Sequence, residues 1–203
     1  MSKLILPSPV ILASQSYDVN TSGVGPTGAT LNAAGTLSPL RFLIPTYSVV
    51  KDSSMDIEIF ASSTQSANTY TLQPKLIFTE PEGTLNAVTY TLAAMTVDTS
   101  LAAQAIRFSI KVAFTKGASG APTALKPFVH SRGISADVDG GVRTNLETAT
   151  YATAINSPSL TFFNRPRALT VQLVRVGATN ASVMNVNYIR AVGYNLNLDN
   201  ATI

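Results

Sequence analysis

The segment Ile106-Arg107-Phe108-Ser109-Ile110-Lys111-Val112-Ala113-Phe114 alternates without interruption. Ile106, Phe108, Ile110, Val112 and Phe114 share one parity, and Arg107, Ser109 and Lys111 share the other. Successive side chains of a strand point to opposite faces, so this pattern describes a strand with one face in a core and one in water. A helix, with its period of about 3.6, would scatter the same residues around its axis. Met55, Ile57, Ile59 and Ala61 repeat the pattern against Asp56 and Glu58. Tyr70, Leu72, Leu76 and Phe78 do so around Pro74, whose missing N–H points to an edge or a bulge. Val88, Tyr90 and Leu92 alternate with Thr89 and Thr91, and Leu169, Val171 and Leu173 follow. In the final run Met184, Val186, Tyr188, Val192, Tyr194, Leu196 and Leu198 share one parity, and Asn185, Asn187, Asn195 and Asn197 the other.

Breakers separate these runs at Pro81-Glu82-Gly83, at residues 116–122, at Asp139-Gly140-Gly141 and at Gly177-Ala178-Thr179-Asn180. Many short strands with Gly/Pro punctuation predict an all-β, antiparallel sandwich. The length and the long last strand favour a jelly-roll-like arrangement. Helical turns are expected only over 99–104 and 146–153. A single sandwich domain is expected over 14–203. Irregular excursions are expected at 20–39, which is small, uncharged and Gly-rich, and at 117–165. Residues 1–13 read as an extended N-terminal arm, because Pro7 and Pro9 deny it a helix. Its apolar residues Leu4, Ile5, Leu6, Val10 and Ile11 are the candidate subunit contacts.

Composition then limits the chemistry. Only 12% of the 203 residues are charged, about half the usual share. Ser, Thr, Asn and Gln make up the difference, and these bury more cheaply than Lys or Glu. Such a surface suits flat contact with other subunits better than free solution. The absence of Cys excludes disulfides and thiolate metal sites. The cations are scattered, with no basic run to track nucleic acid. No apolar run approaches the length of a membrane span.

The candidate catalytic residues are few. His130 is the sole imidazole, and its neighbour Ser131 points the opposite way if the segment is a strand. No G-x-S-x-G elbow is present. A structural or surface histidine is expected. Asp137 and Asp139, before Gly140 and Gly141, faintly suggest a calcium loop, but Glu147 lies at the wrong spacing and an Asp-Gly turn explains them as well. Glu80 and Glu82 flank Pro81 at a turn and read as a solvated tip. No cofactor, no metal and no catalytic residue is expected.

The Lys3–Ala13 arm with Pro7 and Pro9, the uncharged stretch 20–39, the absence of Cys and the final run Ile189–Leu198 together give the chain a recognisable style. It resembles small structural proteins of tailed-phage virions, in particular jelly-roll decoration (cement) proteins of the capsid. The resemblance implies homo-oligomers, often trimers, bound at capsid symmetry points and resident in the virion; it carries over no functional residue. The expected function is therefore non-enzymatic cross-linking of shell subunits. The same features fit another virion component, such as a coat protein or a tail or fibre part. They also fit a carbohydrate- or ligand-binding β-sandwich, which the missing Trp disfavours.

Overall fold

Alternation in the sequence becomes burial in the structure. Met55, Ile57 and Ile59 are completely enclosed, and Ile106, Phe108, Ile110, Val112 and Phe114 are at most 2% exposed. The computed structural model describes residues 9–17, 30–31, 34–44, 53–65, 69–82, 87–99, 103–116, 125–137, 150–152, 166–176 and 183–196. Among these residues every regular element is a strand: β1 (Val10–Ser16), β2 (Thr30–Leu31), β3 (Gly35–Ile44), β4 (Ser54–Ser63), β5 (Thr69–Thr79) and β6 (Val88–Thr91). They continue with β7 (Met95–Asp98), β8 (Gln104–Lys116), β9 (Leu125–Asp137), β10 (Thr150–Ala152), β11 (Arg167–Val176) and β12 (Met184–Tyr194).

The strands form two antiparallel sheets. Sheet A runs β1-β12-β4-β8-β9-β10, with β2 also on β12; sheet B runs β3-β11-β5-β6, with β7 also on β5. Earlier strands pair with later ones in reverse order: β1 with β12, β3 with β11, β4 with β8 and β5 with β6. That is a long two-stranded ribbon. Wrapping it brings β12 against β4 and β11 against β5, which completes a jelly roll. The hairpin from β8 to β9, and then β10, widens sheet A beyond the basic eight strands. One hydrophobic core joins the inner faces of both sheets. Gly133 of β9 marks where they meet. A Cβ there would lie 2.9 Å from Met95 Sδ and 2.9 Å from Phe108 Cε1, so the missing side chain lets both pack over the backbone.

Sheet B tolerates its prolines for separate reasons. Pro39 sits on β3, the outer strand of the described sheet, at a register shift opposite β11. Pro74 lies inside β5, where an edge or a bulge was expected. Its carbonyl accepts the Leu92 N–H, and N–H and C=O of one strand residue point to the same side. Its absent donor therefore faces the gap where β5 changes partner from β7 to β6, and the pairing with β11 loses nothing. At one end of the sandwich Arg175 continues the inward parity of β11. Its guanidinium lies 4.1 Å from the Tyr70 ring centroid and donates to the Leu31 carbonyl at 3.0 Å. This ties β2 of sheet A to sheet B.

The parity of β12 differs from the sequence reading. Val186 pairs with Ala61 but Tyr188 pairs with Phe60, so Asn187 is the extra residue of a bulge. The Asn187 carbonyl accepts the Tyr17 N–H at 2.9 Å, and its side-chain oxygen accepts the Ser62 hydroxyl at 3.2 Å. Beyond the bulge Ile189 and Ala191 face the core, Tyr188, Arg190 and Tyr194 turn outward, and Val192, on the outward parity, is itself buried.

Other boundaries also change. Val10–Ala13, expected in the arm, belong to β1 and pair with β12 of the same chain. The stretch expected to be irregular at 20–39 contains β2 and the start of β3, and that at 117–165 contains β9 and β10. Each of these gains a ladder partner that local composition does not reveal. Gln104 opens β8 and 150–152 form β10, so neither position is helical. Leu4, Ile5 and Leu6 lie outside the described residues.

The bulge gives a graded prediction. Asn187→Ala removes one side-chain hydrogen bond and should cost about 1 kcal/mol in denaturant unfolding. Deleting Asn187 should keep the cooperative transition, because Val186 stays opposite Ala61 and Tyr188 opposite Phe60, and should cost more than the alanine variant, because the bonds from both Tyr17 and Ser62 are lost.

Candidate functional site

Sheet A leaves an outer face whose side chains are set by ladder register. Val192 of β12 lies opposite Asp56 of β4, which faces Lys111 of β8, which faces His130 of β9. The next row is Arg190, Glu58, Ser109 and Arg132, and the next is Tyr188, Phe60, Arg107 and Ile134. Residues separated by tens of positions in the chain, and read as scattered charges in the sequence, thus meet on one surface.

Glu58 is the centre of this surface. Arg107 donates to its Oε1 and Arg190 to its Oε2. Burial pushes the Glu58 carboxyl up, but these two hydrogen bonds and the two positive charges outweigh it and hold the group below its ordinary range. The Arg107 guanidinium also lies 5.3 Å from the Phe60 ring centroid, and Phe60 meets Tyr188 at 6.1 Å. Lys111 Nζ is 3.8 Å from Asp56 Oδ1. Ser109 is short while its neighbours Arg107, Lys111, Arg132 and Glu58 are long, and a depression of about 300 Å³ results.

The sequence-stated candidates separate. His130 lies on this outer face while Ser131 is buried on the other, so the two do not form a nucleophile–base pair. Asp137 accepts a hydrogen bond from Gln104 at the end of β9, and Asp139 and Glu147 lie outside the described residues. Glu82 is exposed at a turn as expected. Glu80 departs from the solvated tip, being half-buried with Oε1 3.7 Å from Arg167 Nη1. On β1, Val10 is half-buried and Ile11 is 66% exposed. Tyr188 and Arg190 were missed. Their signal was present: an adjacent apolar pair, Tyr188-Ile189, followed by an arginine in what continuous alternation makes a core position.

Sheet B has a different outer face. Four of its five strands, β3, β11, β5 and β6, contain no Asp or Glu, and β7 ends on the exposed Asp98. Outward positions carry Thr36, Ser38, Thr170, Gln172, Gln73 and Thr89, with Arg41 and Lys75 as the outward cations. Leu43 and Val176 are 44% and 53% exposed. A shallow depression near Arg41, Ile77, Thr170 and Gln172 measures about 360 Å³.

Neither a protein-family model nor a curated protein sequence matches the chain. Among solved structures it is similar to lectin I from Ulex europaeus in complex with the methyl glycoside of α-L-fucose. Identity there is 11% and the TM-score 0.40, over 93% of this chain and 97% of that one. It is similar to peanut lectin with a 9-residue peptide at 6% identity and TM-score 0.38, over 94% and 99%. The VP2 subviral particle of infectious bursal disease virus is matched at 11% identity and TM-score 0.31, over 93% of this chain but 32% of that one. Likeness at this level assigns no ligand and no partner.

The Glu58 cluster predicts a pH dependence. A carboxylate whose folded pKa is depressed contributes stability above its unfolded value, and that contribution is lost as pH falls through the folded value. Thermal unfolding should show Glu58→Gln less stable than wild type at neutral pH. The difference should shrink on acidification below the ordinary glutamate value of 4.5.

Proposed function

We propose that the protein is a non-enzymatic structural component of a virion that cements neighbouring shell subunits. A jelly roll hosts many functions, so the reading rests on surface chemistry rather than on the fold. The observation that carries it is the outer face of sheet B. This is a broad sheet face without a carboxylate on four strands, dressed in Thr, Ser and Gln and interrupted by exposed Leu43 and Val176. Taking such groups out of water costs less than desolvating charged ones, and a flat partner can satisfy the hydroxyls and amides with hydrogen bonds. Contacts of this kind, repeated by symmetry, hold a shell through number rather than individual strength. The partners in this reading are other copies of the chain, in a trimer or another ring, and a major capsid protein.

Val174 lies mid-face, opposite Thr36 on one side and Gln73 on the other. Val174→Glu should fold with its unfolding midpoint little changed, because the position is an outward one. It should weaken assembly by at least about 2 kcal/mol, roughly thirtyfold, because it brings an unpaired carboxylate into the contact. Light scattering after size exclusion, followed by electron microscopy, should find wild type in multimers or particles and the variant free. Unchanged assembly of Val174→Glu would overturn the assignment of this face. A wild-type monomer retained on a glycan column would replace it with a carbohydrate-binding module.

A further inference from the structure

We infer that the outer face of sheet A is a second docking surface, keyed by charge to an extended segment of a partner protein whose carboxylates recur four residues apart. The surface carries Arg107, Lys111, Arg132 and Arg190 against Asp56 and Glu58, so it is net positive with two acids set inside it. Arg107 and Lys111 stand on one face of β8 with Ser109 between them, and the depression lies over Ser109. Four residues of extended chain span about 14 Å, so a strand-like segment laid along β8 presents carboxylates at that interval to those two cations. Their side chains are 48% and 62% exposed, which leaves both within reach of a partner.

The mixed signs choose the kind of partner. A nucleic-acid backbone carries evenly spaced negative charge and is best met by uninterrupted cations. Here Glu58 is held ionised between Arg107 and Arg190, and it repels a continuous polyanion at the centre of the surface. A protein segment can place a cation or a hydroxyl at that point and carboxylates on either side, and alternating signs of this sort fix register as well as affinity. The Phe60–Tyr188 pair adjoins the charges and offers apolar area to the same segment. Assigning the segment to a neighbouring shell subunit rests on the proposed virion role; the surface itself does not. Together the two faces supply what a cross-linker needs, a contact built mainly on hydroxyls and amides on one side and a charge-keyed contact on the other.

Nuclear magnetic resonance on the isotopically labelled full chain tests this with the peptide Glu-Ser-Lys-Ser-Glu and its scramble Glu-Glu-Lys-Ser-Ser. The spaced peptide should shift the amides around Ser109, Lys111 and Arg132 and bind more tightly than the scramble. Lys111→Glu and Arg132→Glu should each weaken it roughly tenfold, with unfolding midpoints retained because both side chains are exposed. Raising salt from about 10 mM to about 150 mM should weaken it further, since the Debye length falls from about 30 Å to about 8 Å. Val174→Glu should leave the titration unchanged, so failure of the sheet B contact and failure of this one are separable. Equal binding of both peptides, or no effect of Lys111→Glu and Arg132→Glu, would overturn the inference. Stronger shifts at these amides with an oligothymidylate would replace the protein segment with single-stranded nucleic acid, and equal shifts with inorganic phosphate would reduce the surface to a simple oxyanion site.

Discussion

The bulge at Asn187 decides what both sides of sheet A are made of. β12 lies between β1 and β4, so its parity is passed to the longest stack of ladders in the molecule. One extra residue moves Ile189 and Ala191 into the core and places Arg190 beside Glu58. With continuous alternation the arginine would enter an apolar interior, at a desolvation cost no neighbouring core residue offsets. The bulge is not a loose spot. It is held by a backbone bond from Tyr17, just after β1, and by a side-chain bond from Ser62 of β4, so both neighbouring strands fix it.

The wrapped ribbon explains how a chain with so few charges concentrates them. Antiparallel pairing of β12 with β4, β4 with β8 and β8 with β9 sets four polar parities side by side. Acids come from β4, and cations come from β8, β9 and β12. Sheet B receives four strands without acids and becomes the face poor in charge, with Arg41 and Lys75 among its hydroxyls and amides and Asp98 at the end of β7. The two outer faces of one sandwich thus differ in chemistry because the ribbon sends different segments to different sheets, and that difference supports a protein with two distinct contacts.

Local alternation made the fold class legible. In β4 and β8 the predicted inward residues are the buried ones, and Leu169, Val171 and Leu173 of β11 are all fully enclosed. Long-range pairing was not legible. β9 follows Val129 with Ser131, Gly133 and Ser135 on its buried face, so its interior parity carries little apolar signal. Its long ladder with β8 supplies the order that its own residues do not. The site was hidden for the same reason. Glu58, Arg107, Arg132 and Arg190 are isolated polar residues along the chain, and only register makes them a cluster. Pro74 was misleading in the other direction: it suggested an edge or a bulge, but a change of partner strand on one side accommodates it inside the sheet.

The parity of β12 after the bulge is the claim on which the sheet A surface stands, and the absence of Cys from the chain allows a direct test. Single substitutions Ile189→Cys and Arg190→Cys would be treated with a thiol reagent under native conditions. The account predicts rapid modification at position 190 and protection at position 189 until the protein unfolds. Rapid modification at 189 with protection at 190 would mean that alternation runs through Asn187 unbroken, and the charge-keyed surface would not exist.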